Sequence, residues 1–262
     1  MKEVKDLTNP REQRMKDQKQ AYDQYTAEDF EVWQILYDRQ IVNLPNAATI
    51  EFMNGLKDVN FVANRIPSFE ETNQVLKAKT GWELYAVPGI VDDDLFFNLM
   101  ANRKFPATTW VRKKSEIDYL EEPDMFHDVF AHVPLLTNQP FVDFLQALSQ
   151  IGVDHLDDQW AIELLSRIYW FTVEFGLIRE NGQLRIYGAG ILSSSGETAY
   201  SLSNEPEHKP FDVGTILDTP FRKDAFQTNY FIIDSYEQLY LSIDEVKREL
   251  ESRLEQATTT PQ

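Results

Sequence analysis

Glu174 stands alone in Ile168-Tyr-Trp-Phe-Thr-Val-Glu174-Phe-Gly-Leu-Ile178, a run otherwise nearly free of polar groups. A carboxylate buried in such a helix carries a large desolvation cost, which a cation would offset. Two of the chain's four histidines lie together in Pro123-Asp-Met-Phe-His127-Asp128-Val-Phe-Ala-His132-Val-Pro134-Leu-Leu136. Neutral imidazole is the commonest protein ligand for a catalytic metal. A fold that brings positions 127, 132 and 174 to one point resolves both features, and this is the tightest constraint the sequence sets.

Spacing narrows the metal. Zinc proteases place their two histidines four apart, on one face of a straight helix. Here the interval is five, which puts the two directions roughly 140° apart on an ideal helix. They converge on one ion only if the helix ends or bends between them. Pro134 biases Val133 away from helical angles and removes a donor, so His132 is expected at the fraying end of a helix over about 123–132. Two imidazoles and one carboxylate describe the facial triad of non-haem Fe(II) oxygenases, which leaves positions open for oxygen or water.

The rest of the chain reads as one mainly α domain with small β content, an α+β fold. Its 262 residues, 42% hydrophobic and 13% aromatic, can bury a substantial core and show no linker between domains. Polar residues 1–22 read as a flexible arm, 23–256 as the catalytic domain and 257–262 as a disordered tail. Cysteine is absent, which excludes disulfides and fits a reducing cytoplasm. No apolar run suits a signal peptide or a membrane span. The net charge of −18 disfavours nucleic acid and anionic lipid and leaves small molecules as partners.

Helix signals dominate. Thr26-Ala-Glu-Asp29 and Ser68-Phe-Glu-Glu71 start helices, the second stopping before Gly81. Trp82 to Val87 reads as a strand, Leu95 to Asn102 as a helix, and Asp158 to Phe175 as the longest core helix. Around Arg185 to Ile191, Gly188 and Gly190 interrupt a β-like run, which marks a turn where backbone approaches something closely. A last helix runs from about Ile243 to Gln256 with a thin apolar line at Ile243, Val246, Leu250 and Leu254. His155 and His208 have polar neighbours and read as surface residues.

The two segments quoted above, together with Tyr187-Gly-Ala-Gly-Ile-Leu-Ser193-Ser-Ser-Gly-Glu197, closely resemble the tetrahydropterin-dependent aromatic amino acid hydroxylases, and bacterial members acting on phenylalanine in particular. The likeness runs from about Ile66 to Tyr240. Longer members add a regulatory domain and a tetramerisation helix, whereas this chain corresponds to the catalytic core, expected to be a monomer. The resemblance implies that Fe(II) on His127, His132 and Glu174, a tetrahydropterin and O2 together convert L-phenylalanine to tyrosine. Since ligation needs neutral histidines, iron affinity should fall as pH drops through their titration.

Other roles follow from the resemblance alone. Arg112 matches the arginine that holds the substrate carboxylate, with Ser193 in the same subsite. Its place beside Lys113 and Lys114 would otherwise read as a solvated face. Trp170, Phe175, Pro123 and Gly190 match the wall of the aromatic pocket. Phe96 matches the ring stacked on the pterin, although Phe97 beside it could be the exposed one. Gly89, Ile90 and Val91 match a loop whose backbone reads the pterin edge. Asp128 takes the place of an acid near the pterin, Tyr169 that of a tyrosine beside the iron, and Glu197 lies further out.

Two departures stand out. Leu120 begins the stretch where animal members have threonine, so a threonine contact to substrate is missing. Ala131 replaces the usual glycine, and its greater helix preference of about 0.8 to 1 kcal/mol could shift the His132 backbone slightly. Rival readings are a tryptophan hydroxylase of the same family, a non-catalytic binding homologue, and a metal-dependent phosphohydrolase built on His127-Asp128. The last needs a histidine upstream of His127, and none exists.

Overall fold

The computed structural model describes residues 19–118, 120 and 122–259. Most of the predicted arm therefore lies outside the described residues. Its final residues are tied down: Gln20 Nε2 donates to Pro67 O at 2.7 Å, and Tyr22 Oη donates to Ile66 O at 2.7 Å. Both predicted N-termini hold. Thr26 and Asp29 form a reciprocal capping box on the helix Ala27–Ile41, and Ser68 caps Phe69–Lys79.

Two strands run parallel, β1 (Glu83–Val87) and β2 (Lys104–Thr108), with the helix Asp93–Ala101 crossing between them. A second sheet holds β3 (Leu177–Glu180), β4 (Gln183–Ile186), β5 (Glu207–Pro210) and β6 (Asn229–Ile233) in the order β4-β3-β6-β5. Helices fill the rest around one buried apolar core.

The helix Gln139–Asp154 is absent from the sequence reading, yet it buries Phe141, Phe144, Leu145 and Leu148 at the centre. Its signal was present: Asn138 caps it, and Pro140 occupies its first turn, where no N–H is needed. The predicted Asp158–Phe175 helix is α-helical only over Gln159–Tyr169. It continues as a π turn through Trp170–Glu174.

The histidine helix ends at Ala131 with His132 as its C-cap, close to the predicted end at 132, but the chain does not fray there. Val133 is helical and Pro134 lies in the first turn of a 3-10 helix, Val133–Thr137, a position that tolerates the missing donor. His132 is therefore only 5% exposed instead of frayed. The helix Ile50–Asp58 packs so tightly here that a Cβ on Gly55 would lie 2.0 Å from the Pro134 carbonyl oxygen. The final helix runs Ile243–Thr259, past the predicted end at Gln256, and buries Ile243, Val246 and Leu250.

Candidate metal centre

His127 and His132 sit on a π turn, Phe126–Ala131, capped by His132. Hydrogen bonding from i to i+5 widens the turn, so side chains five apart stack on one face. That is how an interval of five, divergent on an α-helix, brings the two Nε2 atoms to 3.3 Å. Ala131, buried at the end of the turn, does not prevent this. Glu174 ends a second π turn in which Phe175 N–H donates to Trp170 O at 2.9 Å.

Glu174 Oε1 stands 3.2 Å from His132 Nε2, and Oε2 stands 3.5 Å from His127 Nε2. Among the described residues these three form the one group able to share a metal ion. Asp128 stays outside it, because its Oδ2 accepts the Thr108 N–H at 2.8 Å. The phosphohydrolase reading loses its doublet there.

The donor set fits a cation. Ser193 Oγ donates to Ala189 O at 2.9 Å and lies 2.9 Å from His127 Nδ1, so it accepts the Nδ1 proton. His127 Nε2 is then a bare lone pair aimed at a second imidazole nitrogen and a carboxylate. A bare imidazole nitrogen and a carboxylate converging in a mostly buried site repel unless a cation or a proton joins them.

Electrostatics agree. Burial is the main cause holding His127 below the ordinary histidine value, which favours the neutral ring that ligation needs. Burial pushes Glu174 up, but His132, His127 and the Gly190 N–H more than reverse it. A Cβ on Gly188 would come within 2.4 Å of the Glu174 carbonyl oxygen, so glycine there lets the following turn approach the ligand.

A cavity opens beside the triangle, lined by Gly89, Ile90, Val91, Pro123, Asp128 and Tyr169 and the three ligands. Phe96 also lines it, whereas Phe97 is buried, which settles the choice between them. Thr108 lines it too and carries a buried hydroxyl with no hydrogen-bond partner among the described residues. Such an orphan suits a polar ligand. Burial raises both Tyr169 and Asp128.

The other predicted residues lie outside this lining. Arg112 is not on a solvated face: its Nε and Nη2 each donate to the fully buried Asp124 carboxylate at 2.9 Å. Asp124 Oδ1 also accepts the His127 N–H at 3.2 Å, so one carboxylate fixes the arginine and a ligand backbone. Asp124 was missed as a functional residue; its signal was a carboxylate between Pro123 and an apolar run. Ser193 lies behind His127, and Trp170, Phe175 and Gly190 cluster beyond Glu174. Glu197 touches no ligand and accepts from Tyr230 Oη at 2.6 Å. His155 and His208 are half-buried, each bonded to a backbone carbonyl.

A mainly helical domain with a two-histidine, one-carboxylate face beside an open cavity defines a mononuclear non-haem metal oxygenase. The sequence matches the biopterin-dependent aromatic amino acid hydroxylase family over residues 8–259, and the chain belongs to that family. It is 50% identical over 222 residues to the phenylalanine-4-hydroxylase of Chromobacterium violaceum, covering 84% of this chain and 74% of that protein. The Ralstonia nicotianae phenylalanine-4-hydroxylase is 49% identical over 222 residues, with 84% and 71% covered. A crystal structure of the Chromobacterium enzyme with bound iron(III) and 7,8-dihydrobiopterin superposes with a TM-score of 0.87 at 42% identity, covering 98% of this chain and 95% of that one.

Proposed function

We propose that the chain hydroxylates L-phenylalanine to L-tyrosine, using Fe(II), a tetrahydropterin and O2. The observation that carries the reading is the convergence of His127, His132 and Glu174 on one face, open toward the cavity that Phe96 lines. Relatives named phenylalanine-4-hydroxylase favour phenylalanine over tryptophan.

Iron and the reduced pterin, when bound, supply the activation of oxygen and the reducing electrons. The chain's own work is positional. His127, His132 and Glu174 would hold the iron. The pterin would lie between Phe96 and the Gly89–Val91 backbone, near Asp128 and Thr108. Arg112 would turn to the substrate carboxylate the guanidinium edge that Asp124 does not hold, where Nη1 makes only a long 3.5 Å bond to the Ile117 carbonyl, the Asp124 pair keeping that edge oriented. Trp170, Phe175, Pro123 and Gly190 would enclose the ring, which keeps water from the reacting centre. Tyr169 stays protonated beside Glu174, its phenol raised by burial.

No helix among the described residues is long and apolar enough to cross a membrane. A cysteine-free chain that needs Fe(II) and reduced pterin suits the cytoplasm. The test is anaerobically loaded Fe(II) protein given a tetrahydropterin and air, each aromatic amino acid being assayed for a hydroxylated product. Tyrosine from phenylalanine is expected; a faster tryptophan reaction would overturn the substrate assignment. His127→Ala, His132→Ala and Glu174→Ala should each fold but lose iron on dialysis, and near-stoichiometric iron in any of them would break the ligand set.

A further inference from the structure

Gln227 is 4% exposed, and its side-chain amide is engaged at both ends. Its Oε1 accepts the indole N–H of Trp170 at 3.1 Å. Its Nε2 donates to the carbonyls of Arg222 at 2.7 Å and Ala225 at 3.2 Å. The amide fits one way round, since a flip would set NH2 against the indole N–H and oxygen against two carbonyls. The backbone N–H of Gln227 donates to Glu197 Oε1 at 3.2 Å, the same oxygen that Tyr230 binds.

The segment 219–228 that folds back onto Gln227 carries Phe221, stacked on Trp170 with centroids 4.4 Å apart and planes at 19°. Phe175 leans on Trp170 as well, at 4.7 Å. The exposed Arg222–Asp224 ion pair joins two members of this loop, so it does not tie the loop to the domain. Trp170 opens the π turn that ends at Glu174, and its neighbour Tyr169 lines the cavity.

We propose that Gln227 is a latch that holds loop 219–228 and Trp170 in one arrangement, and so sets the aromatic wall that the substrate ring meets. This deepens the reading of Trp170 as substrate wall and rests on it. Gln227 is a positioning residue, acting through Trp170 and Phe221.

The experiment compares Gln227→Met and Gln227→Glu with the parent enzyme, loaded with Fe(II). Methionine keeps the length and removes every side-chain polar contact, leaving the backbone bond to Glu197. Glutamate still accepts from Trp170 but faces two carbonyls with no N–H. Both should raise KM for phenylalanine by about tenfold while leaving KM for the pterin and the iron content unchanged. Limited trypsin digestion followed by mass spectrometry should show cleavage after Arg222 and Lys223 accelerated by about tenfold. Cleavage no faster than in the parent overturns the latch, and so does an equal rise in both KM values. Should Gln227→Met fail to fold, Trp170→Phe removes the indole N–H, keeps an aromatic face and serves the same digestion test. Trp170→Ala with unchanged KM for phenylalanine would overturn the substrate-wall reading. The digestion result, obtained without substrate, would still decide the latch.

Discussion

Ser193 Oγ lies 2.9 Å from His127 Nδ1 while donating its own proton to Ala189 O. The serine therefore selects the His127 tautomer and turns Nε2 toward His132 and Glu174. Ser193→Ala removes that acceptor and leaves a buried N–H without a partner. Iron affinity, measured by titration of the metal-free protein, should fall by about 10- to 100-fold with the fold intact. Unchanged affinity would mean that packing alone orients the ring.

How much of this was readable beforehand depends on what each residue answers to. Capping at Thr26 and Ser68 is local, and it was legible. So was the meeting of His127, His132 and Glu174, because a lone carboxylate in an apolar run demands a partner. The means was not. The interval of five predicts a helix that ends or bends between the histidines, with His132 fraying before Pro134, whereas the chain widens into a π turn, which no local spacing rule encodes. Of the hairpin, the β-like run from about Arg185 was legible, though its strand ends at Ile186 and Ala189–Leu192 is helical; Leu177–Glu180 is too short to register alone. The role of Asp124 depends on Arg112 twelve residues away, a pairing no local pattern encodes.

Arg112 and Asp124 give the next prediction. Removing one member of a buried pair strands the other charge, at a cost of about 3 to 5 kcal/mol. Arg112→Ala should lower the urea midpoint accordingly, since Asp124 is fully buried. Arg112→Lys keeps the charge but loses the fork, so its stability should fall less, while KM for phenylalanine rises more than KM for the pterin. Equal KM effects would confine Arg112 to holding Asp124.

Glu197 links stability to pH. Burial raises its carboxyl above the ordinary 4.5, although Tyr230 and the Gln227 N–H pull it partly back. Between those two values the folded chain keeps a proton that the unfolded chain releases, so this group's contribution is full below 4.5 and is lost as pH rises. Glu197→Gln keeps the size and the acceptor oxygen without the charge. Denaturation midpoints should show the variant gaining on the parent as pH rises from 4.5 to 7. A pH-independent difference would show that the hydrogen bonds, not the charge, set its effect.

Assembly supplies the last prediction: the protein should be a monomer. The apolar line of the helix Ile243–Thr259 is already spent, with Val246 and Leu250 fully buried and Ile243 nearly so, and Leu254 packed against the same core. A helix of this length offers about two heptads, short of the three to four wanted for a coiled coil, and its stripe faces inward. The net charge of −18 adds repulsion between copies. Salt screens it beyond about 8 Å at physiological strength without turning it into attraction. Light scattering coupled to size exclusion at micromolar concentration should give the 30.5 kDa of one chain. A mass four times the 30.5 kDa chain would require the helix to leave its own core and bind copies, and would reverse the assignment.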